Sequence, residues 1–362
     1  MGRVSYLGLT LFLFACGQRP ERARVGIAIE PAWYAAVRLA QADLGDVPMD
    51  VFGDSGQNVQ ATASALEYAT WIADQHAAIV IGHSGSRGSV AAAAVYAARN
   101  VAQLAPLATS RELNRGGREV FSLVPDDSAE GAFIGAFVDT ALHAKRAALL
   151  YHNDEYGLGI RDGVVAELGR RHVAVVDERF LIPQGETTVT LHVEPLLAAA
   201  LRNGPDVIIL GARVLESRDV AAYLRRVGRR IPVVSGDGAY VLPNTPAGRD
   251  LTPMDGMHIV RFWGPDRDSV SADFAMRFEN RMGYPPEQAE AATYDAVMLV
   301  GRAVLAGART PEAFRRFLNG LGKERPPLRG LLSSYQFAGG RPTGAVMEMA
   351  TVHAGRLVVS KR

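Results

Sequence analysis

Three serine hydroxyls, Ser84, Ser86 and Ser89, crowd into the stretch "GHSGSRGS" (82–89). The apolar run "AAIVI" precedes it and the alanine-rich "VAAAAVYAAR" follows. That order reads as strand, glycine turn and helix. Such a turn presents backbone N–H groups and hydroxyls at a helix N-terminus, where anions are readily held. The chemistry on offer is the binding of a carboxylate or another small polar group. The same serines would also suit a plain cap on a helix starting near Ser89, and the local sequence leaves both readings open. A second polar turn, Ala108–Thr109–Ser110 in "LAPLATSREL", ends the next apolar run. In open α/β sheets ligands sit at the carboxyl ends of strands, so two neighbouring hydroxyl turns can converge on one molecule.

Other chemistries fit poorly. A phosphate-binding loop needs Gly-Lys-Ser/Thr, and "GHSGSRGS" contains no lysine. The first apolar run ends "IAIEPAW", without the glycines of a dinucleotide fingerprint. The eight histidines are scattered and form no metal-binding pattern, and no G-x-S-x-G elbow is present. His83 beside serines has no evident acid to complete a triad. No catalytic, metal or cofactor site is therefore expected. Lys+Arg is 39 against 38 Asp+Glu, with no basic tract, which argues against a nucleic-acid surface.

The elements that must position these turns alternate. Strands are expected at 24–29, 47–56, 76–82, 101–108, 146–154, 173–181, 206–212 and 231–239. Helices are expected at 31–45, 58–75 with Asn58 as N-cap, 89–100, 129–143, 156–171, around 189–203 and at 217–228. Alternation of this kind implies parallel sheets with right-handed crossovers. Consecutive apolar residues in "AAIVIG" and "VIIL" suit strands covered on both faces. After residue 255 the pattern changes to a long extended segment, 255–265. Two helices follow, then a third from about Pro311 to Leu321 with Thr310 as its N-cap, and finally three short strands with glycine turns. The chain of 362 residues is long enough for two lobes that exchange segments.

The N-terminus carries its own signal. Residues 4–15 are nearly all apolar, follow Arg3 and end at Cys16, the single cysteine. About 20 apolar residues are needed to span a bilayer, so this run is too short for that and fits a signal-peptide core. "LFAC" resembles a bacterial lipobox, which implies removal of residues 1–15, lipidation of Cys16 and a polar tether over 16–24. The alternative is an ordinary signal peptide with an incidental cysteine.

"VIGHSGS…VAQLAPLATSREL" resembles the type I periplasmic binding proteins of ABC importers, the branched-chain amino-acid (Leu/Ile/Val) binding family. "FSLVPDDSAEGAFIGAFV", "ALLYHNDEYGLGIRDGV", "PDVIILGA", "IPVVSGDGAY", "GYPPEQAEAATYDAVMLVGRAV" and "LRGLLSSYQFAGG" follow in the family's order. The resemblance implies two doubly wound Rossmann-like α/β lobes. One would comprise 25–125 with 262–331 and the other 126–261 with 332–362. Three crossover strands near 124–128, 258–264 and 330–336 would join them. It also implies an extracytoplasmic solute-binding lipoprotein that closes over a small polar ligand, an amino acid or related amide or acid, and hands it to an ABC permease in the membrane. A ligand-sensing lipoprotein without a transport role is the alternative.

By the same resemblance Ser86, Ala108 and Thr109, with Ser84 beside them, would hold a ligand carboxylate. Asp127 and Tyr156 would lie at the cleft, Asp237 would meet a ligand ammonium, and Trp33 and Tyr34 would cover an apolar side chain. Each has a plainer alternative: Asp127 as a helix cap, Tyr156 as a packing residue, Asp237 as a turn former, Trp33 and Tyr34 as core. Family members often carry an aromatic pair after the "VIILGA" strand. This sequence has "GARVLES", which brings the charges of Arg213 and Glu216 there instead.

Overall fold

The structure is a computed structural model that describes residues 21–53, 62–117, 119–182, 193–241 and 249–359. The lipobox with Cys16, the Asn58 cap and the start of the helix expected from 189 lie outside the described residues.

Five parallel strands form the first sheet: β1 (Ala23–Ala28), β2 (Met49–Phe52), β3 (Ile79–Gly82), β4 (Ala102–Ala105) and β5 (Val120–Ser122), in the order β2-β1-β3-β4-β5. Helices α1 (Tyr34–Leu44), α2 (Thr62–Asp74) and α3 (Ser86–Ala98) make the crossovers. All four residues of β3 are buried, as its unbroken apolar run requires for a strand covered on both faces. Gly82 ends that strand at φ 145°, where a Cβ would stand 2.3 Å from the Ala28 carbonyl oxygen. Only glycine lets the two strand tips approach this closely.

The chain then enters α4 (Asp127–Thr140) and builds a second sheet from β6 (Arg146–His152), β7 (Ala174–Ile182), β8 (Val207–Gly211), β9 (Val233–Ser235) and β10 (His258–Arg261). Their parallel order is β7-β6-β8-β9-β10, with α5 (Glu155–Arg170), α6 (Val193–Arg202) and α7 (Val214–Arg226) between them. From β10 the chain returns to the first sheet. The helix Gln288–Leu305 buries its apolar residues in the core shared with α1, and Tyr294 donates to Asp43 at 2.7 Å. Thr310 caps the helix Pro311–Gly320 by accepting from the Ala313 amide, as the sequence suggests.

The closing segment is more divided than the three strands expected. Two two-residue hairpins come first, β11 (Leu328–Arg329) with β12 (Ser334–Tyr335) and β13 (Phe337–Ala338) with β14 (Arg341–Pro342). Strands β15 (Glu348–His353) and β16 (Arg356–Val359) then extend the second sheet antiparallel beyond β10. The expected crossover segment 258–264 begins as β10 itself, because His258 and Ile259 pair with β9, so the chain leaves the second sheet only after Arg261.

In each sheet the strand order reverses once, between β1 and β3 in the first and between β6 and β8 in the second. At such a reversal the loops on either side run apart and open a crevice beyond the strand tips. The loops after β1 and β3 carry Trp33, Ser84 and Ser86. Beyond β6 and β8 the first turns of α5 and α7 carry Tyr156 and Glu216, and the loop before α7 carries Arg213.

Candidate ligand-binding site

The two crevices face one another across a cavity of about 280 Å³, lined from both sheets. On the first sheet's side stand Trp33, Ser84, Ser86 and Thr109. Helix α3 begins at Ser86, three residues before the position the sequence suggests, because Gly85 takes an extended N-cap conformation. Gly85 has no side chain with which to cap that end. The hydroxyls therefore do something else. Ser84 Oγ accepts from the Glu30 amide at 2.6 Å, tying the β1 loop to the β3 loop. Ser86 Oγ accepts from the Ser110 amide at 3.1 Å and lies 3.4 Å from Thr109 Oγ1, so the two hydroxyl turns do meet. Ser89 turns back to donate to the His83 carbonyl. The uncapped N–H groups of a 13-residue helix, beside two hydroxyls, favour an anion.

Asp237 faces them from the second sheet. Its turn is built for close approach: a Cβ at Gly236 would meet the Tyr156 hydroxyl at 2.5 Å and Glu130 Oε1 at 2.9 Å. Through that gap the Asp237 amide donates to Glu130 Oε1 at 2.6 Å and the Gly238 amide donates to the Tyr156 hydroxyl at 2.9 Å. Burial raises the Asp237 carboxyl to about 6, against the lowering pull of the Tyr156 and Glu130 hydrogen bonds and Arg213. Burial, and then the Asp237 charge, push Glu130 well above the usual carboxylate range, so Glu130 keeps its proton. Tyr156 is raised for the same reasons and stays neutral. Asp237 Oδ1 is buried and has no hydrogen-bond partner among the described residues. A buried carboxylate oxygen in this position can accept from a ligand's donor.

A third side of the cavity is the start of α7. Arg213 bonds Asp154 at 2.8 Å and the ring of His152, and lies over the Tyr156 ring at 5.6 Å. His152 Nε2 in turn stands 3.2 Å from Glu216 Oε1. Burial disfavours the charged form of Glu216, yet His152 and Arg213 override it and hold the carboxyl below its usual range. Asp154 also receives Arg87 of α3 at 3.3 Å, a contact from one side of the cleft to the other. Leu107, Val214, Leu215 and Val241 supply apolar wall.

Of the residues singled out in the sequence, Trp33, Ser84, Ser86, Thr109, Tyr156 and Asp237 line this cavity. Ala108 sits just behind it, fully buried, with its carbonyl accepting from Ser122 Oγ and Arg341. Tyr34 is half-buried and packs against the core. Asp127 lies outside this cavity's lining, beside Thr109, and lines a second cleft of about 600 Å³ with Ser110, Arg111 and Asp154. Asp126, not Asp127, caps α4, accepting from the Ala129 amide. Burial pushes the Asp127 carboxyl well above the usual range, with Thr109 acting against it. Glu130 and His152 went unnoticed in the sequence, since nothing local marks a helix-face glutamate or a strand-end histidine. Among the described residues no His/Cys/Asp/Glu group could hold a metal ion, and no helix is long and apolar enough to cross a membrane.

The sequence pattern of the family described as "Periplasmic binding protein" matches residues 25–353. This chain belongs to that family. Among its periplasmic binding protein relatives, the Leu/Ile/Val-binding protein homolog 1 of Brucella abortus is 22% identical over 286 residues, 78% of this chain and 73% of that one. An amino acid binding protein of Pseudomonas aeruginosa is 26% identical over 176 residues, 48% of this chain and 46% of its own length. That alignment thus spans about half of the relative. Among solved structures, an ABC transporter substrate-binding protein from Desulfitobacterium hafniense in complex with Leu superposes with a TM-score of 0.77 at 22% identity, over 94% of this chain and 100% of that one. The branched-chain amino acid transporter substrate-binding protein LivJ of Streptococcus pneumoniae, in complex with isoleucine, gives 0.75 at 20% identity, over 93% and 97%. At these identities the superpositions establish a shared fold.

Proposed function

We propose that this periplasmic binding protein captures an α-amino acid between its two lobes and presents it to an ABC permease. The observation that carries the reading is the placement of opposite chemistry across one cavity. The Ser86–Thr109 turns and the α3 N-terminus offer donors on one side, and Asp237 offers on the other a carboxylate oxygen with no partner among the described residues. An α-carboxylate and an α-ammonium, one carbon apart, satisfy both. Tyr156 and Glu130 hold Asp237 in place, and Trp33 flanks the ligand. The relatives named for amino acids, and those solved with leucine or isoleucine, support the same class of ligand.

In this reading residues 25–125 with 262–331 form the lobe that binds first, and 126–261 with 332–362 the lobe that closes over the ligand. Closure is favoured only by contacts the ligand makes to the closed form and not to the open one, here those to Asp237 and Tyr156. The lipid on Cys16 would keep the protein at the membrane where the permease sits. No step of catalysis is assigned to the site. Ligand-linked stabilisation tests the reading, since a ligand at a hundredfold excess over Kd stabilises by about 2.7 kcal/mol. L-Amino acids should raise the melting temperature, whereas the matching amines without carboxylate and acids without ammonium should not. A ligand set in which the des-amino acids stabilise as well as the amino acids would refute it.

A further inference from the structure

The cavity has a charged end that an aliphatic side chain would leave unused. Glu216 is 6% exposed, lines the cavity, and its Oε2 has no hydrogen-bond partner among the described residues. Arg213 lines the same end and spends its guanidinium on His152 and Asp154, two contacts from a group with five N–H donors. His152 sits between them, bonded to Arg213 through Nδ1 and with Nε2 at 3.2 Å from Glu216 Oε1. Leu107, Val214, Leu215 and Val241 supply apolar wall to the same cavity, Leu215 being 56% exposed.

Resting on the amino-acid reading above, we infer that the ligand's side chain is an apolar stem ending in a primary carboxamide, with its carbonyl on Arg213 and its amide N–H on Glu216. The alternatives each leave a group unmatched. A second carboxylate would meet Arg213 but face Glu216. A cationic side chain would meet Glu216 but face Arg213. An aliphatic side chain would cover Glu216 Oε2 and give it no donor, the arrangement that costs most in a closed site. A carboxamide offers one acceptor and two donors in a plane and carries no charge, which suits a wall made of one fixed cation and one fixed anion. Burial opposes ionisation of Glu216, but its partners keep it ionised at neutral pH, so it acts there as an acceptor only.

Calorimetry of the full protein at pH 7.5 with L-glutamine, L-asparagine, L-glutamate, L-lysine, L-leucine and L-norleucine tests this. A site built to hydrogen-bond a polar head discriminates strongly against analogues without it. The tighter-binding of the two carboxamide amino acids should exceed norleucine, leucine, glutamate and lysine by at least about tenfold. Glu216→Leu should narrow the glutamine-to-norleucine ratio to within about threefold. Leucine binding as tightly as either carboxamide, or a Glu216→Leu protein that keeps the preference, overturns the inference and leaves the amino-acid reading standing. Failure of all six to bind overturns both. If Glu216→Leu does not melt cooperatively, the wild-type panel decides alone.

Discussion

Replacing Asp237 by asparagine should stabilise the empty protein and disable it. The side chain is 4% exposed and its carboxyl is raised to about 6 by burial, from 3.8. A carboxyl whose folded-state pKa lies above its unfolded value holds its proton more tightly when folded. Its contribution to stability is therefore present in acid and is lost as pH rises from about 4 to about 6. At pH 7.5 the ionised group costs on the order of 3 kcal/mol, taking roughly 2 pKa units at 1.36 kcal/mol each. Asparagine keeps the shape and the polar contacts without the charge. Ligand-free Asp237→Asn should gain about 1–3 kcal/mol in urea unfolding at pH 7.5, with the gain shrinking toward pH 4. Ligand binding should move the other way. Removing one partner of a buried ion pair costs about 3–5 kcal/mol, which is roughly two to three and a half orders of magnitude in Kd. In the wild type, protonation of Asp237 competes with the ligand ammonium, so affinity should fall about tenfold between pH 7 and pH 5. Calorimetry and urea unfolding over that range read all three effects. A variant that binds within about fivefold of wild type, or that is less stable than wild type at pH 7.5 when empty, refutes the reasoning.

Ser86→Ala removes a hydroxyl from the carboxylate side while leaving the α3 backbone in place. Amino-acid affinity should drop by about tenfold to a hundredfold in calorimetry, the worth of one hydrogen bond to a charged group, with a loss of about 1–2 kcal/mol in unfolding because the buried Ser110 amide loses its acceptor. Asp295→Ala should do the reverse. Asp295 accepts from the Leu331 and Leu332 amides and from the Tyr335 hydroxyl, all buried, and none of these residues lines the ligand cavity. Stranding these donors should cost about 3–5 kcal/mol in urea unfolding, while the Kd of the folded fraction stays unchanged.

Much of the architecture could be read from runs of apolar residues. "AAIVIG" and "VIIL" are buried strands because residues apolar on both faces fit only a sheet covered on both sides, and their alternation with helices dictated parallel order. The details that escaped were those with weak local signals. Ser-Arg-Gly-Ser reads as turn, yet Gly85 turns the chain so that α3 starts at Ser86. Between the adjacent aspartates 126 and 127 nothing in the sequence selects the cap. Two-residue strands such as Leu328–Arg329 are too short to show alternation. At the site, the hydroxyl turns and Asp237 stood out because strand tips and flanking glycines mark them. Glu130 did not, since its contact with Asp237 joins residues 107 apart in the chain. The charged end is half visible: Arg213 and Glu216 stand out as charges, while His152, which lies between them, sits at the end of an ordinary apolar strand.

The most direct test of the central claim, an amino acid held between opposite chemistries of the two lobes, is a crystal structure of the protein with its best-binding L-amino acid. The account predicts the α-carboxylate within hydrogen-bond distance of Ser86 and Thr109 at the α3 N-terminus and the α-ammonium on Asp237 Oδ1. A ligand lying in the other cleft beside Asp127 and Arg111, or one with its ammonium turned away from Asp237, would contradict it.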